Sequence, residues 1–118
     1  MQILVTGATG YLGKSLVQEL LKKNLKVKCL VRKKTNLNKL KKETILYGDL
    51  TDKASLDNAL KNTDIVIHLA AVTNVLDKNI DKVNIQGTGN LVEVCKKNNI
   101  LKIIFISSTA AAKAKDKY

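Results

Sequence analysis

Thr6-Gly7-Ala8-Thr9-Gly10-Tyr11-Leu12-Gly13 is the stretch of this sequence that decides the fold. It follows the apolar run Ile3-Leu4-Val5, which predicts a buried first strand. Apolar residues then recur at helical spacing and predict a first helix over 14–23. The residues of this apolar stripe are Leu12, Leu16, Val17, Leu20 and Leu21. The glycines therefore lie on a strand-to-helix turn, which is the context that a nucleotide-binding fingerprint requires.

Each glycine of this turn has a predicted role. Gly7 allows the tight turn after the strand, and Gly10 has no side chain to keep a pyrophosphate from the backbone. Gly13 lets the helix pack close against the sheet. The start of the helix offers free N–H groups and the positive end of its dipole to phosphates. A turn with only a structural role is the alternative, but position, flanks and spacing favour the nucleotide site.

The composition limits the chain to one domain or less, because 118 residues are typical of a single domain. Hydrophobic residues make up an ordinary 45% and aromatic residues 3%, so the core must be aliphatic. No apolar run is long enough to span a membrane. The N-terminal residues enter the first strand directly and leave no room for a signal peptide, which predicts a cytoplasmic protein.

The cysteines and the charge indicate neither a metal site nor a nucleic-acid partner. Cys29 and Cys95 are isolated on a predicted strand and a predicted helix, and we expect both to be reduced core residues. With two cysteines and one histidine, no metal site is expected. The net charge of +11 comes from basic residues spread over several helices and loops. This distribution favours solvated lysine faces, so nucleic-acid binding ranks last among the functions considered.

Strand and helix patterns alternate along the whole chain. The predicted strands cover residues 3–5, 26–32, 44–47, 64–69 and 100–106. The predicted helices cover 14–23, a short stretch within 33–42, a segment capped by Thr51 or Asp52, and 77–98. Helical crossovers make the joined strands parallel. The sequence therefore predicts an α/β fold: a Rossmann-type, doubly wound parallel sheet of five strands with helices on both faces.

The end of the second predicted strand indicates the cofactor. A dehydrogenase that uses NAD usually has Asp or Glu about 20 residues past the fingerprint, where the carboxylate binds the ribose hydroxyls. No acidic residue stands between Glu19 and Glu43, and the strand ends in Arg32-Lys33-Lys34, which contains the single arginine. A guanidinium binds a phosphate through two parallel hydrogen bonds, which lysine cannot do. Arg32 therefore predicts a site for the 2′-phosphate of NADP, with NAD as the other candidate and a basic surface turn as the structural alternative.

Several motifs together carry a family resemblance. They are TGATGYLG at 6–13, Gly48-Asp49-Leu50, His68-Leu69-Ala70-Ala71, Asn84-Ile85-Gln86-Gly87-Thr88-Gly89-Asn90-Leu91 and Phe105-Ile106-Ser107-Ser108-Thr109-Ala110. In this order they resemble the short-chain dehydrogenase/reductase superfamily, most of all its extended and atypical branches, which include nucleotide-sugar epimerases and dehydratases. The resemblance covers only the front of the family pattern. We therefore expect residues 1–118 to be an incomplete NAD(P)-binding Rossmann domain, with the substrate-binding part absent.

The resemblance implies a set of cofactor-binding residues. In the family, the Asp after the third strand meets the adenine, and small residues after the fourth strand let the backbone approach the ribose. The Asn of the long helix lies near the nicotinamide. The implied residues are Gly7, Thr9, Gly10, Tyr11, Leu12, Gly13, Arg32, Asp49, Leu50, Leu69, Ala70, Ala71 and Asn84.

Three of the motif residues have structural alternatives. Asp49 could also cap the helix that follows it. His68, the single histidine, is expected to be structural rather than a catalytic base. Gly87 and Gly89 predict a close contact between their helix and the sheet, because each glycine inside a helix costs roughly 1 kcal/mol relative to alanine.

The resemblance also implies the catalytic residues. A hydroxyl at the end of the fifth strand binds the reacting oxygen in the family, and Thr109 matches that position best, with Ser108 second. The family's general acid is the Tyr of Y-x-x-x-K, whose Lys lowers the pKa of the Tyr toward neutrality. Tyr118 is the one candidate after the fifth strand, and its partner Lys would fall beyond the last residue of the sequence.

The implied function is hydride transfer by an NAD(P)-dependent oxidoreductase, epimerase or dehydratase that acts on a nucleotide-sugar or another carbonyl or hydroxyl substrate. A non-catalytic module that senses NADP(H) is the first alternative, and a basic nucleic-acid-binding protein is the second. No membrane partner is expected. An open strand edge favours self-association, so a homodimer is the candidate assembly.

Overall fold

The computed structural model describes residues 1–33, 37 and 40–107. Its sheet has five strands in the order β3-β2-β1-β4-β5, and every neighbouring pair is parallel. The strands are β1 Gln2–Thr6, β2 Lys26–Val31, β3 Ile45–Tyr47, β4 Ile65–His68 and β5 Lys102–Phe105. The α-helices are α1 Tyr11–Lys22, α2 Lys53–Leu60 and α3 Thr88–Lys97. This architecture confirms the predicted Rossmann-type parallel sheet.

The order of the strands places a crevice beside β1. The chain moves outward from β1 to β2 and β3, then returns to add β4 and β5 on the other side. In doubly wound sheets, ligands bind at the carboxyl ends of the strands where this reversal occurs. The turn after Thr6, at the carboxyl end of β1, lies at that point.

Alternate residues of the central strands face two separate hydrophobic layers, as the period of a strand requires. Leu4 of β1 packs toward α2 and α3, whereas Ile3 and Val5 pack toward α1. The layer under α2 and α3 contains Leu4, Leu30, Leu50, Leu56, Ala59, Leu60, Val66, Leu91, Val94 and Cys95. The layer under α1 contains Ile3, Val5, Ala8, Val17, Val27, Cys29, Val31 and Ile67.

The two cysteines belong to opposite layers, and both are free and buried, as predicted. Burial raises the pKa of the Cys95 thiol to about 11. Burial also raises the pKa of the Cys29 thiol, although a hydrogen bond with Thr44 and the charge of Lys28 oppose it. Both side chains therefore act as small apolar core residues. Among the described residues, no helix is long and apolar enough to cross a membrane.

The segment before α3 differs from the predicted continuous helix over 77–98. The helical backbone begins at Ile80, passes through a π-helical segment, Lys82–Gly87, and continues as α3. The Asp77 carboxylate accepts a hydrogen bond from the Asn79 N–H at 2.8 Å, which holds the preceding residues in a turn. π-helical turns often occur at functional sites.

The connection from β2 to β3 contains a 3₁₀ turn, Lys42–Thr44, where the sequence predicted the start of a strand at Thr44. The backbone N–H and the hydroxyl of Thr44 both donate to the Lys41 carbonyl, at 3.0 and 2.6 Å, which closes the turn. Half of the segment 33–42, within which a short helix was predicted, consists of residues 34–36 and 38–39, which lie outside the described residues.

The two glycines near the start of α3 have different surroundings. A Cβ on Gly87 would lie 2.9 Å from the Cβ of Leu50, so this glycine does allow a close contact. A Cβ on Gly89 would meet nothing within 4 Å. The prediction of a close contact was therefore wrong for Gly89, whose position faces open space.

Candidate functional site

A groove of about 500 Å³ opens at the carboxyl edge of the sheet, at the reversal of strand order. The turn after β1 forms its centre, the ends of β2 and β3 form one side, and the segment after β4 forms the other. The predicted cofactor-binding residues that line it are Gly7, Thr9, Gly10, Arg32, Asp49, Leu50, Leu69, Ala70 and Ala71. Side chains or backbone from four separate strand ends therefore converge on one cleft.

Gly7 fixes the shape of the turn. Its φ of +72° lies in the left-handed region, where a side chain is strained. A Cβ there would also lie 2.6 Å from the backbone nitrogen of Ala70. The carbonyl of Gly7 accepts a hydrogen bond from the Gly10 N–H at 3.1 Å, which closes the turn. Gly7 thus forms the tight turn that the glycine pattern predicted, and the structure adds that this turn packs directly on the segment after β4.

The start of α1 is suited to an anion. Gly10 is its N-cap, no side chain among the described residues caps it, and its first turn has no acidic residue. The first N–H groups of a helix have no intrahelical partner, and the helix dipole is positive there. Tyr11 is 96% exposed and Leu12 is 52% exposed, and neither side chain lines the groove. Their contribution to a bound anion would come from the backbone N–H groups.

Leu12 and Gly13, which are neighbours in the first turn of α1, differ in their exposure to solvent. Leu12 was predicted to join the buried stripe of α1, which is wrong, because its position at the first turn turns it toward solvent. Gly13 is buried, and a Cβ there would lie 2.1 Å from the Gly7 carbonyl oxygen. Gly13 therefore does not line the groove but allows α1 to sit against the turn.

Asp49 presents a hydrogen-bond acceptor in the groove. Its Oδ1 accepts from the N–H and the hydroxyl of Thr51, both at 2.8 Å. Burial alone would raise the pKa of Asp49, but the Thr51 hydrogen bonds and the charges of Arg32 and Lys82 outweigh it and lower this pKa. The carboxylate is therefore ionised near neutral pH. The alternative role of helix cap belongs instead to Asp52, which accepts from two N–H groups of α2.

Asn84 acts on the groove indirectly. Its carboxamide both donates to the Val72 carbonyl and accepts from the Val72 N–H, each at 2.8 Å. Val72 lines the groove, whereas Asn84 does not. Asn84 therefore fixes the segment after β4 to the π-helical segment, and the predicted contact with the nicotinamide remains a prediction.

His68 joins three elements below the groove. It is 2% exposed, and its Nδ1 lies 2.6 Å from the Thr6 hydroxyl and its Nε2 lies 3.0 Å from the Thr88 hydroxyl. Both ring nitrogens thus have a hydroxyl partner, and the Thr6 hydroxyl oxygen also accepts from the Ala70 N–H. His68 is thus a neutral structural residue, in agreement with its expected role.

Burial lowers the pKa of His68 below its ordinary value of 6.5. The unfolded chain therefore takes up a proton at a higher pH than the folded chain. Stability is complete above the unfolded pKa and decreases as the pH falls through it, by up to about 1.4 kcal/mol per pH unit. We expect the urea midpoint to decrease between about pH 7 and pH 5, where no other type of side chain titrates in its ordinary state. The same measurements on His68→Gln should give a nearly flat profile, whereas a flat wild-type profile would contradict the prediction.

Several residues of the candidate site were not predicted or are not described. Asp77, Asn79 and Lys82 line the groove on the side of the π-helical segment. The rule that ligands bind at the carboxyl ends of the strands could have indicated them, because the segment after β4 must pass this edge. The predicted catalytic residues Ser108, Thr109 and Tyr118 lie outside the described residues.

Comparison with known proteins decides the family. A profile of the 3-beta hydroxysteroid dehydrogenase/isomerase family matches residues 4–117. The chain belongs to this family. Sterol demethylase protein B of Methylococcus capsulatus is 33% identical over 116 residues, a match that covers 94% of this chain and 35% of that protein. UDP-glucose 4-epimerase of Vibrio cholerae is 36% identical over 116 residues and is covered to 34%.

The solved structures agree with this assignment. UDP-glucose 4-epimerase of Thermus thermophilus, determined in complex with NAD, has a TM-score of 0.83 and 30% identity. The match covers 92% of this chain and 38% of that enzyme. These findings confirm the resemblance predicted from the sequence. The chain spans about a third of the length of the curated relatives that it matches.

Proposed function

We propose that this chain is the dinucleotide-binding part of an NAD(P)-dependent oxidoreductase, epimerase or dehydratase. The observation that carries the proposal is the groove, in which the glycine turn lies between the ends of β2 and β3 and the segment after β4. Dinucleotides bind across such a crevice, with the pyrophosphate on the start of the first helix. The related epimerase of Thermus thermophilus was solved with NAD, which supports a dinucleotide as the ligand.

The described residues fit the parts of such a cofactor. The backbone around Gly10 and the free N–H groups of α1 would hold the pyrophosphate, because a Cβ on Gly10 would fill the space beside them. The ionised Asp49 would accept a hydrogen bond from the adenine amino group. Ala70 and Ala71 expose backbone and small side chains where the other half of the cofactor would lie. The bound nicotinamide would supply hydride transfer, while the chain binds it, orients it and excludes water.

We infer NADP as the preferred cofactor from the end of β2. Arg32 lines the groove at the end of β2. Its guanidinium is the cation that a 2′-phosphate needs, in place of the carboxylate that binds an unmodified ribose. A carboxylate at this position would repel the phosphate, whereas a guanidinium can bind it through two hydrogen bonds. The substrate class, a nucleotide-sugar or another carbonyl or hydroxyl compound, and the catalytic roles of Thr109, Ser108 and Tyr118 stay predictions. The same holds for a homodimer and for the cytoplasmic location.

The Arg32→Glu variant tests the cofactor preference. The wild type is expected to bind NADPH more tightly than NADH, and the variant is expected to reverse that order. Loss of the charge-assisted bonds should weaken NADPH binding by about 10- to 100-fold, since such bonds contribute roughly 1.5–3 kcal/mol. The new carboxylate should accept from the ribose hydroxyls of NADH.

Isothermal titration calorimetry with both nucleotides gives the two dissociation constants. Lys33→Glu is the matched control, because Lys33 carries the same charge on the next residue but lines only the neighbouring cavity. The control should keep the preference for NADPH. Equal affinities for NADPH and NADH in both the wild type and Arg32→Glu would overturn the assignment of Arg32.

A further inference from the structure

Lys82 lies in the groove, opposite the strand ends. It is the first residue of the π-helical segment Lys82–Gly87, which lies in the helical layer that covers one face of the sheet. The segment is held over the carboxyl end of β3, because Gly87 packs against Leu50. Lys82 itself lines the groove together with Arg32 and Asp49. A cation from the helical layer therefore enters the same cleft as the cation from the end of β2.

Lys82 differs from the lysines on the neighbouring helices. Lys53 pairs with Glu93 at 2.7 Å, and Lys97 pairs with Asp57 at 3.0 Å, so these two link α2 and α3. Among the residues that the structure describes, neither Lys82 nor Arg32 forms an ion pair. Both cations are thus available to a ligand in the groove.

The carboxylate of Asp49 interacts with both Arg32 and Lys82. The charges of Arg32 and Lys82 both lower the pKa of its carboxyl group, so both lie close enough to interact with it. One oxygen of this carboxylate is already held by Thr51. The carboxylate of Asp77 also lines the groove, so its four charged lining side chains balance, and Arg32 and Lys82 are the two groups among them that attract an anion.

The charge of the ligand indicates why a second cation would be needed. A phosphate monoester carries a charge of about −1.5 to −2 at neutral pH, whereas one guanidinium supplies a single positive charge. The pyrophosphate is not the group that this pair would bind, because the glycine turn and the start of α1 lie at the centre of the groove. Arg32 at the end of β2 and Lys82 on the π-helical segment both act on Asp49, the residue that would meet the adenine under the proposed function.

We propose that Lys82 is a specificity-determining residue, which together with Arg32 binds the 2′-phosphate on the adenosine of NADP. This inference rests on the proposed function and extends it to a residue outside the glycine turn and the end of β2. The discrimination between NADP and NAD then depends on two cations from different layers of the fold. Loss of either cation should weaken the binding of ligands that carry the 2′-phosphate and leave the others unchanged.

The test uses Lys82→Gln, with Lys78→Gln as the matched control. Lys78 is exposed on the turn that precedes the π-helical segment, and it does not line the groove. Calorimetry is carried out with NADPH and NADH and with the fragments 2′,5′-ADP and 5′-AMP, which differ only in the phosphate under test. We expect Lys82→Gln to weaken NADPH and 2′,5′-ADP about tenfold, with NADH and 5′-AMP changed less than about twofold. The control should bind all four ligands as the wild type does.

The outcomes separate this inference from the proposed function. Wild-type binding of neither NADPH nor NADH would overturn the proposed function and this inference with it. Binding of NADPH that Lys82→Gln leaves unchanged, or that it weakens equally with NADH, would overturn the role of Lys82 alone. The double variant of Arg32→Gln and Lys82→Gln gives a further check, because two residues that bind one phosphate should show a non-additive loss.

Discussion

Replacing Gly10 with valine is expected to abolish dinucleotide binding while the fold stays intact. Gly10 lines the centre of the groove and is the N-cap of α1. Its φ of −72° and ψ of 174° are extended backbone that valine adopts without strain. A Cβ at this position would meet only the Gly7 carbonyl oxygen, at 3.3 Å, so the protein itself can accept the side chain after a small shift.

A bound dinucleotide, in contrast to the protein, cannot accommodate the valine side chain at position 10. The branched side chain would occupy the space in which the pyrophosphate must approach the N–H groups at the start of α1. Each lost hydrogen bond to a charged group costs roughly 1.5–3 kcal/mol. The loss of two such bonds weakens binding by about 100-fold or more. Calorimetry with NADPH should therefore detect no binding by Gly10→Val at concentrations that saturate the wild type.

Gly10→Ala is the graded control for this variant. Its single methyl group should weaken NADPH binding less than valine does, and far-UV circular dichroism should be the same for the wild type and both variants. A Gly10→Val protein that keeps both its fold and its wild-type affinity would show that the turn has a structural role only. That result would remove the main support for the proposed function.

The fold was predictable because its signals are local. The strands β1 and β4 contain apolar runs, whereas β2 alternates before it turns apolar, and each needs only its own few residues to be recognised. The glycine turn is equally local, since the chain must pass from β1 into α1 within a few residues. Gly7 has the left-handed backbone that a tight turn allows only to glycine, and Gly13 gives α1 a close contact, although with the turn rather than with the sheet that was predicted.

The parts of the site that sequence reasoning missed depend on contacts between distant residues. Lys82 comes about 50 residues after Arg32 in the chain, and only the packing of the π-helical segment over Leu50 brings it into the groove. Asn84 was assigned to the cofactor, yet its carboxamide binds Val72, a partner that no local pattern reveals. Gly89 belongs to the same motif as the closely packed Gly87, but a Cβ on it would contact nothing. Burial of Leu91 and Val94 against the sheet turns the position of Gly89 away from the core.

The second large effect is expected for Gly13→Ala, which should strongly destabilise the fold. The added Cβ would lie 2.1 Å from the Gly7 carbonyl oxygen and 2.7 Å from the Cα of Ala8. Both neighbours are backbone atoms, so no side-chain rotation can relieve the overlap, and α1 must move away from the turn. Overpacking typically costs roughly 1–3 kcal/mol and occasionally more, and an overlap with two backbone groups belongs at the upper end of that range. Thermal unfolding should show a midpoint lowered by about 10 °C or more.

Gly89→Ala is the matched control, because it makes the same chemical change in a helix with the opposite surroundings. Alanine is favoured over glycine by roughly 1 kcal/mol inside a helix, and at Gly89 no atom lies within 4 Å of the new Cβ to oppose it. Its midpoint should rise by about 4 °C. The helical preference is the same at Gly13, so a midpoint that also rises there would contradict the tight contact between α1 and the turn. Opposite shifts in the two variants would instead show that steric overlap with Gly7, and not helix propensity, requires a glycine at position 13.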